Sequence, residues 1–213
     1  MNTNLFKQFE DIPYFSKADL RLVYNYSENA LNEQIKRALK NQIIIQLKKG
    51  LYTTTLYWLK EPNKDSFLEF IASRLRYPSY LSLEYILSKN NLLTEATYPI
   101  TSITIKSGRS YQNSMASFNY SSIKEGLFTG FIEKKYLKNN YYAATPAKAL
   151  FDWLYLKNNM SQNLKKEIIE ELRINWNNFS KSDFKEFKKY VNLSKNFKVA
   201  KIAKILKENI YVN

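Results

Sequence analysis

The chain has 213 residues, 45% of them hydrophobic and 15% aromatic, so it can bury a core and is not a disordered tail. It contains no cysteine and no histidine, which excludes disulfides, thiolate nucleophiles and cysteine-ligated zinc, and removes the commonest general base. A formal net charge of +14 favours a polyanionic partner, nucleic acid before an anionic membrane surface, although a lysine-rich genome produces the same bias.

The first ten residues contain Lys7 and Glu10 but no apolar run of the kind found in signal peptides. No stretch of the sequence approaches the roughly 18 apolar residues that a membrane-spanning helix requires. We therefore expect a cytoplasmic protein with no membrane partner.

The N-terminal residues predict two short helices. Apolar residues at helical spacing predict the first from Asn4 to Asp11, and Pro13 ends it. Ser16 lies three residues before Asp19, an arrangement typical of a capping box at the start of a second helix.

A third helix is predicted from an N-cap at Ser27 through Lys40, with Asn41 ending it in the left-handed conformation. Its apolar residues fall on one side. The candidate DNA-binding residues are its cap and its polar side, namely Ser27, Asn29, Asn32, Glu33, Lys36, Arg37 and Lys40. Asparagine can bond adenine, arginine can bond guanine and lysine can reach phosphates, as a recognition helix requires. An ordinary solvated amphipathic helix is the alternative interpretation.

Two β-rich runs, 43–47 and 51–54, flank the turn Lys48-Lys49-Gly50, where glycine can adopt positive φ. Basic residues at a hairpin tip beside a recognition helix predict a wing, in which Lys48 and Lys49 contact phosphate or the minor groove. This order of parts predicts a winged helix-turn-helix, a module that places a helix in the major groove of double-stranded DNA.

The predicted fold class is α+β, with the winged helix-turn-helix over residues 1–60 and a mixed α/β domain with a helical tail over 65–213. Between them, the segment 61–64 (Glu-Pro-Asn-Lys) is the predicted linker. Further helices are predicted at 65–75 and 82–89, and strands at 100–105, 115–123, 126–132 and 141–144. Thr145-Pro146 is typical of an N-cap followed by proline at the first helical position, and opens an apolar helix through Lys157.

The tail, residues 157–213, is the most basic part of the chain, with 13 basic and six acidic residues. The spacing of its apolar residues predicts helices. The last of these has an apolar stripe opposite Lys198, Lys201, Lys204 and Lys207. That lysine face is either a solvated surface or a second phosphate-contacting surface.

No enzymatic motif is evident, and with four glycines in the whole chain there is no phosphate-binding loop. The closest acidic groups are Asp65 with Glu69, and Glu167 with Glu170 and Glu171. At helix-surface positions they indicate solvated charge rather than a Mg²⁺ site. Asp152 lies within an apolar helix, where a buried lysine or tyrosine partner is expected. We therefore predict no catalytic residues, no metal site and no cofactor.

The segments PSYLSLEYILSKNNLL, ITSITIK and AATPAKALFDWLYLK, together with the predicted winged helix, resemble the AbiEi family of antitoxins from abortive-infection toxin–antitoxin operons. The resemblance covers roughly residues 5–157. Ala147 stands where the family usually has glutamate, so any role of that acid is lost here.

The resemblance implies two roles. The N-terminal module would bind inverted repeats in its own promoter and repress the operon. The C-terminal domain would counteract a separately encoded nucleotidyltransferase-like toxin in a type IV system, without a stable complex. Two other interpretations stay open: a winged-helix transcriptional regulator with a ligand-sensing C-terminal domain, and a protein-interaction module whose helix-turn-helix no longer binds DNA.

Overall fold

The computed structural model describes residues 3–94 and 99–211. Its N-terminal region contains a 3-10 helix (Thr3–Phe9), β1 (Phe15–Ser16), α1 (Lys17–Val23), α2 (Glu28–Lys40), β2 (Ile44–Lys48) and β3 (Leu51–Thr54). The α+β class predicted from the sequence is confirmed. The first predicted helix is present, but it is a 3-10 helix and ends at Phe9, two residues before the predicted end at Asp11.

The predicted start signals of α1 and α2 are confirmed. Ser16 and Asp19 form a reciprocal capping box, and the Ser27 hydroxyl accepts from the backbone N–H of Ala30. The predicted end of α2 at Lys40 is confirmed, but the residue in the left-handed conformation is not the one predicted. Asn41 has φ −87°, and Gln42 instead adopts the left-handed conformation, with φ 55°.

β2 and β3 form an antiparallel hairpin, and the short β1 pairs with the other edge of β3, so the strand order is β1-β3-β2. Gly50 has φ +79° at the tip, the conformation that glycine adopts without steric cost. A bulge between Gln46 and Lys48 shifts the register, so Lys48 pairs with Leu51.

The following region begins with α3 (Thr55–Lys60), α4 (Lys64–Leu75), β4 (Ser79–Leu81), α5 (Leu83–Lys89), β5 (Ile100–Thr104), β6 (Arg109–Gln112), β7 (Ser117–Ser122), β8 (Phe131–Tyr136), β9 (Asn139–Ala144) and α6 (Pro146–Leu156). The six strands form one mixed sheet in the order β6-β7-β5-β4-β9-β8, parallel at β5–β7 and β4–β9. The N-cap at Thr145 and the first-turn proline are confirmed. The strand predicted over 126–132 is wrong, because residues 125–127 form a 3-10 turn and β8 starts at Phe131.

The tail is helical, as predicted. It contains α7 (Leu164–Lys166), which continues as a π-helical turn (Glu167–Glu171), then α8 (Lys181–Ser194) and α9 (Phe197–Asn209). The apolar stripe of α9 is buried at Val199, Ile202 and Leu206. No helix in the described ranges is long and apolar enough to cross a membrane.

Buried hydrophobic residues fall into two clusters. The smaller joins the N-terminal 3-10 helix to α1, α2 and the hairpin, and includes Phe9, Phe15 and Leu31. The larger fills the rest of the protein but also contains Leu47 and Leu51 from the hairpin. The hairpin therefore contributes to both cores, and the two predicted domains pack against each other.

Candidate nucleic-acid interface

α2 separates its apolar and polar residues cleanly. Leu31, Ile35 and Ala38 are buried against the hairpin and the N-terminal helices. The side chains exposed on the opposite face are Asn29, Asn32, Glu33, Lys36, Arg37 and Lys40. Within residues 3–94 and 99–211, none of these six side chains makes a hydrogen bond or an ion pair. The face therefore carries donors and positive charge that the fold itself does not use.

The start of α2 is tied to α1 by its first residue. Glu28 accepts from the Lys17 ammonium and pairs with the Arg21 guanidinium at 2.7 Å. The bonds from Lys17 and then Arg21 lower the pKa of the Glu28 carboxyl. The Ser27 hydroxyl caps α2, and its oxygen lies 3.3 Å from the Ala30 nitrogen. Glu28 thus links α1 to α2 through two surface ion pairs.

Aromatic packing beneath α2 supports its position. Phe9 and Phe15 stack with ring centroids 4.5 Å apart, and Phe15 also contacts Tyr52 of β3. The hydroxyl of Tyr24, which follows α1, donates to the carbonyl of Leu5. These contacts fasten the N-terminal 3-10 helix onto the α1–α2 pair, so that α2 is presented from a packed base.

The two lysines predicted at the wing tip diverge. Lys49 is exposed. The Lys48 ammonium instead donates to the carbonyls of Arg74 and Leu75, at 3.2 and 2.8 Å, at the end of α4. Unsatisfied carbonyls at a helix C-terminus favour a cation, which explains the capture. The structure therefore places Lys48 at the junction between the hairpin and α4.

Three further cations, which no sequence pattern indicated, lie near Lys48. Burial, then the nearby charges of Arg76, Lys106 and Arg109, lower the pKa of the Lys48 ammonium. Arg76 is held by the turn before β6, because its guanidinium donates to the carbonyl and the hydroxyl of Ser107. These residues are 28 to 61 positions from Lys48 in the sequence, so no local pattern signals the cluster.

The lysine face of α9 is divided in the same way. Lys201, Lys204 and Lys207 are exposed. Lys198 instead donates to the carbonyls of Tyr155 and Lys157 at the end of α6, so it caps that helix. Burial, followed by the charge of Lys157, lowers the pKa of the Lys198 ammonium.

The partner expected for Asp152 is confirmed. Asp152 and Lys148, one turn apart on α6, form a fully buried ion pair. The other carboxylate oxygen accepts from the hydroxyls of Tyr80 at 3.0 Å and Ser82 at 2.8 Å. Burial lowers the pKa of Lys148 and raises the pKa of Asp152. Because both groups are inaccessible to solvent, this network links α6 to β4 rather than forming an open site.

The interpretation of the remaining acidic groups as solvated is wrong for two residues. Glu69 is buried and accepts from the hydroxyls of Tyr85 and Tyr141, at 2.8 and 2.7 Å. Glu167 is also buried and lies 3.7 Å from the Lys157 ammonium. The part of the chain that the structure describes holds no group of three acidic side chains placed to bind a metal ion.

Comparison with known proteins adds no family assignment, since the chain matches no family model and no curated protein sequence.

Proposed function

We propose that residues 15–54 form a winged helix-turn-helix and that the protein binds double-stranded DNA, with α2 as the recognition helix. The observation that carries this proposal is the outer face of α2, whose amide and cationic side chains are exposed and have no partner within the described residues. α2 has 13 residues, hence a length of about 20 Å. A major groove about 12 Å wide accommodates such a helix.

The position of α2 within its surroundings supports the same conclusion. The buried aromatic cluster supports α1 and α2, and Glu28 pairs across them with Lys17 and Arg21. A rigid base reduces the ordering cost of binding and holds Asn32, Lys36 and Arg37 in a defined register. Arg37 and Asn32 would contact bases, and Lys36 and Lys40 would contact phosphates.

The wing in this proposal has a composite basic surface. Lys49 is available at the hairpin tip, whereas Lys48 is bonded to α4. The cations close to the Lys48 ammonium, which are Arg76, Lys106 and Arg109, add positive charge at the junction between the hairpin and α4. If the interface makes about five phosphate contacts, the logarithm of affinity should fall with the logarithm of salt concentration at a slope of about −4 to −5.

The resemblance to AbiEi antitoxins supplies the biological setting of the proposal. The protein would bind inverted repeats upstream of its own coding sequence and repress a toxin–antitoxin operon, without enzymatic activity of its own. Its region after residue 60 would counteract a nucleotidyltransferase-like toxin. Co-expression with the adjacent gene tests this role, because growth should be restored only when the full chain is present.

The DNA-binding proposal is tested by fluorescence anisotropy with the duplex upstream of the coding sequence. Replacing Lys36→Ala and Arg37→Ala together should lower affinity about 100-fold, since a base contact of 1–3 kcal/mol and a phosphate contact are both removed. The matched control is Lys134→Ala with Lys135→Ala, two exposed lysines on β8.

The control should retain nearly all of the affinity. Equal losses in the two double variants would mean that net charge, and not the α2 face, governs binding. Unchanged binding by the Lys36 and Arg37 variant would remove α2 as the recognition helix.

A further inference from the structure

Two sheet edges face the same groove. Among the residues described, β2 is the last strand of the sheet β1-β3-β2, and β6 is the first strand of the six-stranded sheet. Each of these two strands therefore has one edge that pairs with no other strand. β2 and β6 line a groove of about 780 Å³, in which every residue from Ile44 to Lys49 takes part. Free strand edges are templates for pairing and are usually covered or interrupted.

The hydrogen-bond pattern shows which backbone groups are free. The N–H of Thr55 donates to the carbonyl of Ile43 at 2.9 Å, so these residues form a hydrogen-bonded pair. In an antiparallel ladder such pairs alternate with pairs whose groups point outward. Ile45 lies opposite Thr53, so these two residues form the next hydrogen-bonded pair. The N–H and C=O groups of Ile44 and Gln46 therefore point toward the groove.

The groove is positively charged. None of the described residues that line it is acidic, and two of them are Lys48 and Lys49. Lys106 and Arg109 lie close enough to Lys48 to lower the pKa of its ammonium. The groove also contains half-buried aromatic side chains, Trp58 and Tyr111, against which apolar groups can pack.

We propose that the free edge of β2 pairs with an extended, acidic peptide segment of another protein. The edge presents N–H donors and C=O acceptors in alternation, and the backbone of an extended strand matches both along its length. A nucleic-acid backbone carries phosphate acceptors that the carbonyls of Ile44 and Gln46 would repel. Acidic side chains of the peptide would lie near Lys49 and Arg109, and its apolar side chains near Trp58.

The test uses the full ¹⁵N-labelled chain and a synthetic hexapeptide that alternates glutamate and valine, at millimolar concentration. Titration should shift the amide resonances of Ile44 and Gln46 and slow their hydrogen exchange at least tenfold. A hexapeptide that alternates lysine and valine should leave them unchanged. No DNA is present, so the result does not depend on whether α2 binds a duplex.

Two variants separate backbone pairing from charge attraction. Gln46→Pro removes an outward N–H while leaving the β2–β3 ladder paired, and should weaken peptide binding at least tenfold. Lys49→Glu should weaken it by a similar factor without altering the edge. The proposal is overturned if neither amide responds to the acidic peptide, if the lysine peptide binds equally well, or if folded Gln46→Pro binds like the parent. It is also overturned if these amides respond to protein concentration alone, since a second copy would then cover the edge.

Discussion

Helices α2 and α6 begin alike and use their charged residues in opposite ways. Each is capped by a hydroxyl that accepts from a backbone N–H three residues on: Ser27 from Ala30 at 3.3 Å, and Thr145 from Lys148 at 3.1 Å. α2 buries one apolar stripe and leaves Lys36 and Arg37 in solvent. α6 buries seven of its 11 residues.

The difference teaches how charge divides between folding and function in this chain. In α6, Lys148 and Asp152 have left water entirely, and a buried ion pair is tolerated only when its other bonds are made as well. Tyr80 and Ser82 make those bonds. The cations of α2 are exposed and make no ion pair within the described residues, so they can contact a partner without breaking a contact that stabilises the fold.

The strongest test of this division is truncation after Lys60, which removes α6 and most of the larger core. We expect the fragment to lose cooperative folding, because Leu47, Leu51 and Tyr57 belong to the larger core and would be exposed. Circular dichroism during heating and the dispersion of amide resonances measure this. A sharp thermal transition in the fragment would show that the N-terminal region folds alone.

Breaking the buried pair should be the next largest effect. Asp152→Ala leaves the Lys148 ammonium buried without its partner and should lower the free energy of unfolding by about 3–5 kcal/mol. Urea denaturation measures it. The control is Glu208→Ala, which breaks the exposed Lys204–Glu208 pair of the same spacing and should not move the midpoint.

The double variant Lys148→Met with Asp152→Leu should recover most of that loss, because it removes both buried charges together. If Asp152→Ala costs no more than Glu208→Ala, the contrast between α6 and the exposed helices does not hold.

The neighbours Lys48 and Lys49 repeat the contrast on a smaller scale. Lys48→Ala removes two charge-assisted bonds to α4 and should lower the free energy of unfolding by about 1–2 kcal/mol. Lys49→Ala should leave stability unchanged but reduce the salt slope of DNA binding by about one. Stability measured by urea and affinity measured over a salt series distinguish the two. Equal behaviour of both variants would contradict the division of roles at the hairpin tip.

The smallest expected effect is on α2 itself. Lys36→Ala with Arg37→Ala should change the free energy of unfolding by less than about 0.5 kcal/mol, since neither side chain has a partner within the described residues. The same urea series measures it. A loss comparable with that of Asp152→Ala would mean that this face stabilises the fold and is not reserved for a ligand.

Local signals predicted the helices well. The capping box of Ser16 and Asp19, the Ser27 cap and Thr145-Pro146 act within four residues, so they are visible in the sequence. Strands were predicted less well: β4 and β6 were missed, because Ser79–Leu81 follows a proline and the four residues of β6 are largely polar. Their pairing with other strands, rather than their composition, makes them strands.

The candidate site was also predicted only in part, because local patterns do not show contacts between residues that are far apart in the sequence. Helical periodicity is enough to place Asn32, Lys36 and Arg37 on one exposed face. It cannot show that Lys48 turns away toward α4, or that Arg76, Lys106 and Arg109 gather beside it.

By itself, the sequence determined where most helices start, which side of each is apolar, and that Asp152 requires a buried partner, because these depend on interactions within a turn or on the cost of burying charge. Only the tertiary structure decided which lysines remain free. An ammonium goes to whatever carbonyls or carboxylates the fold brings near, and for Lys48 and Lys198 those are helix ends 26 and 41 or more residues away.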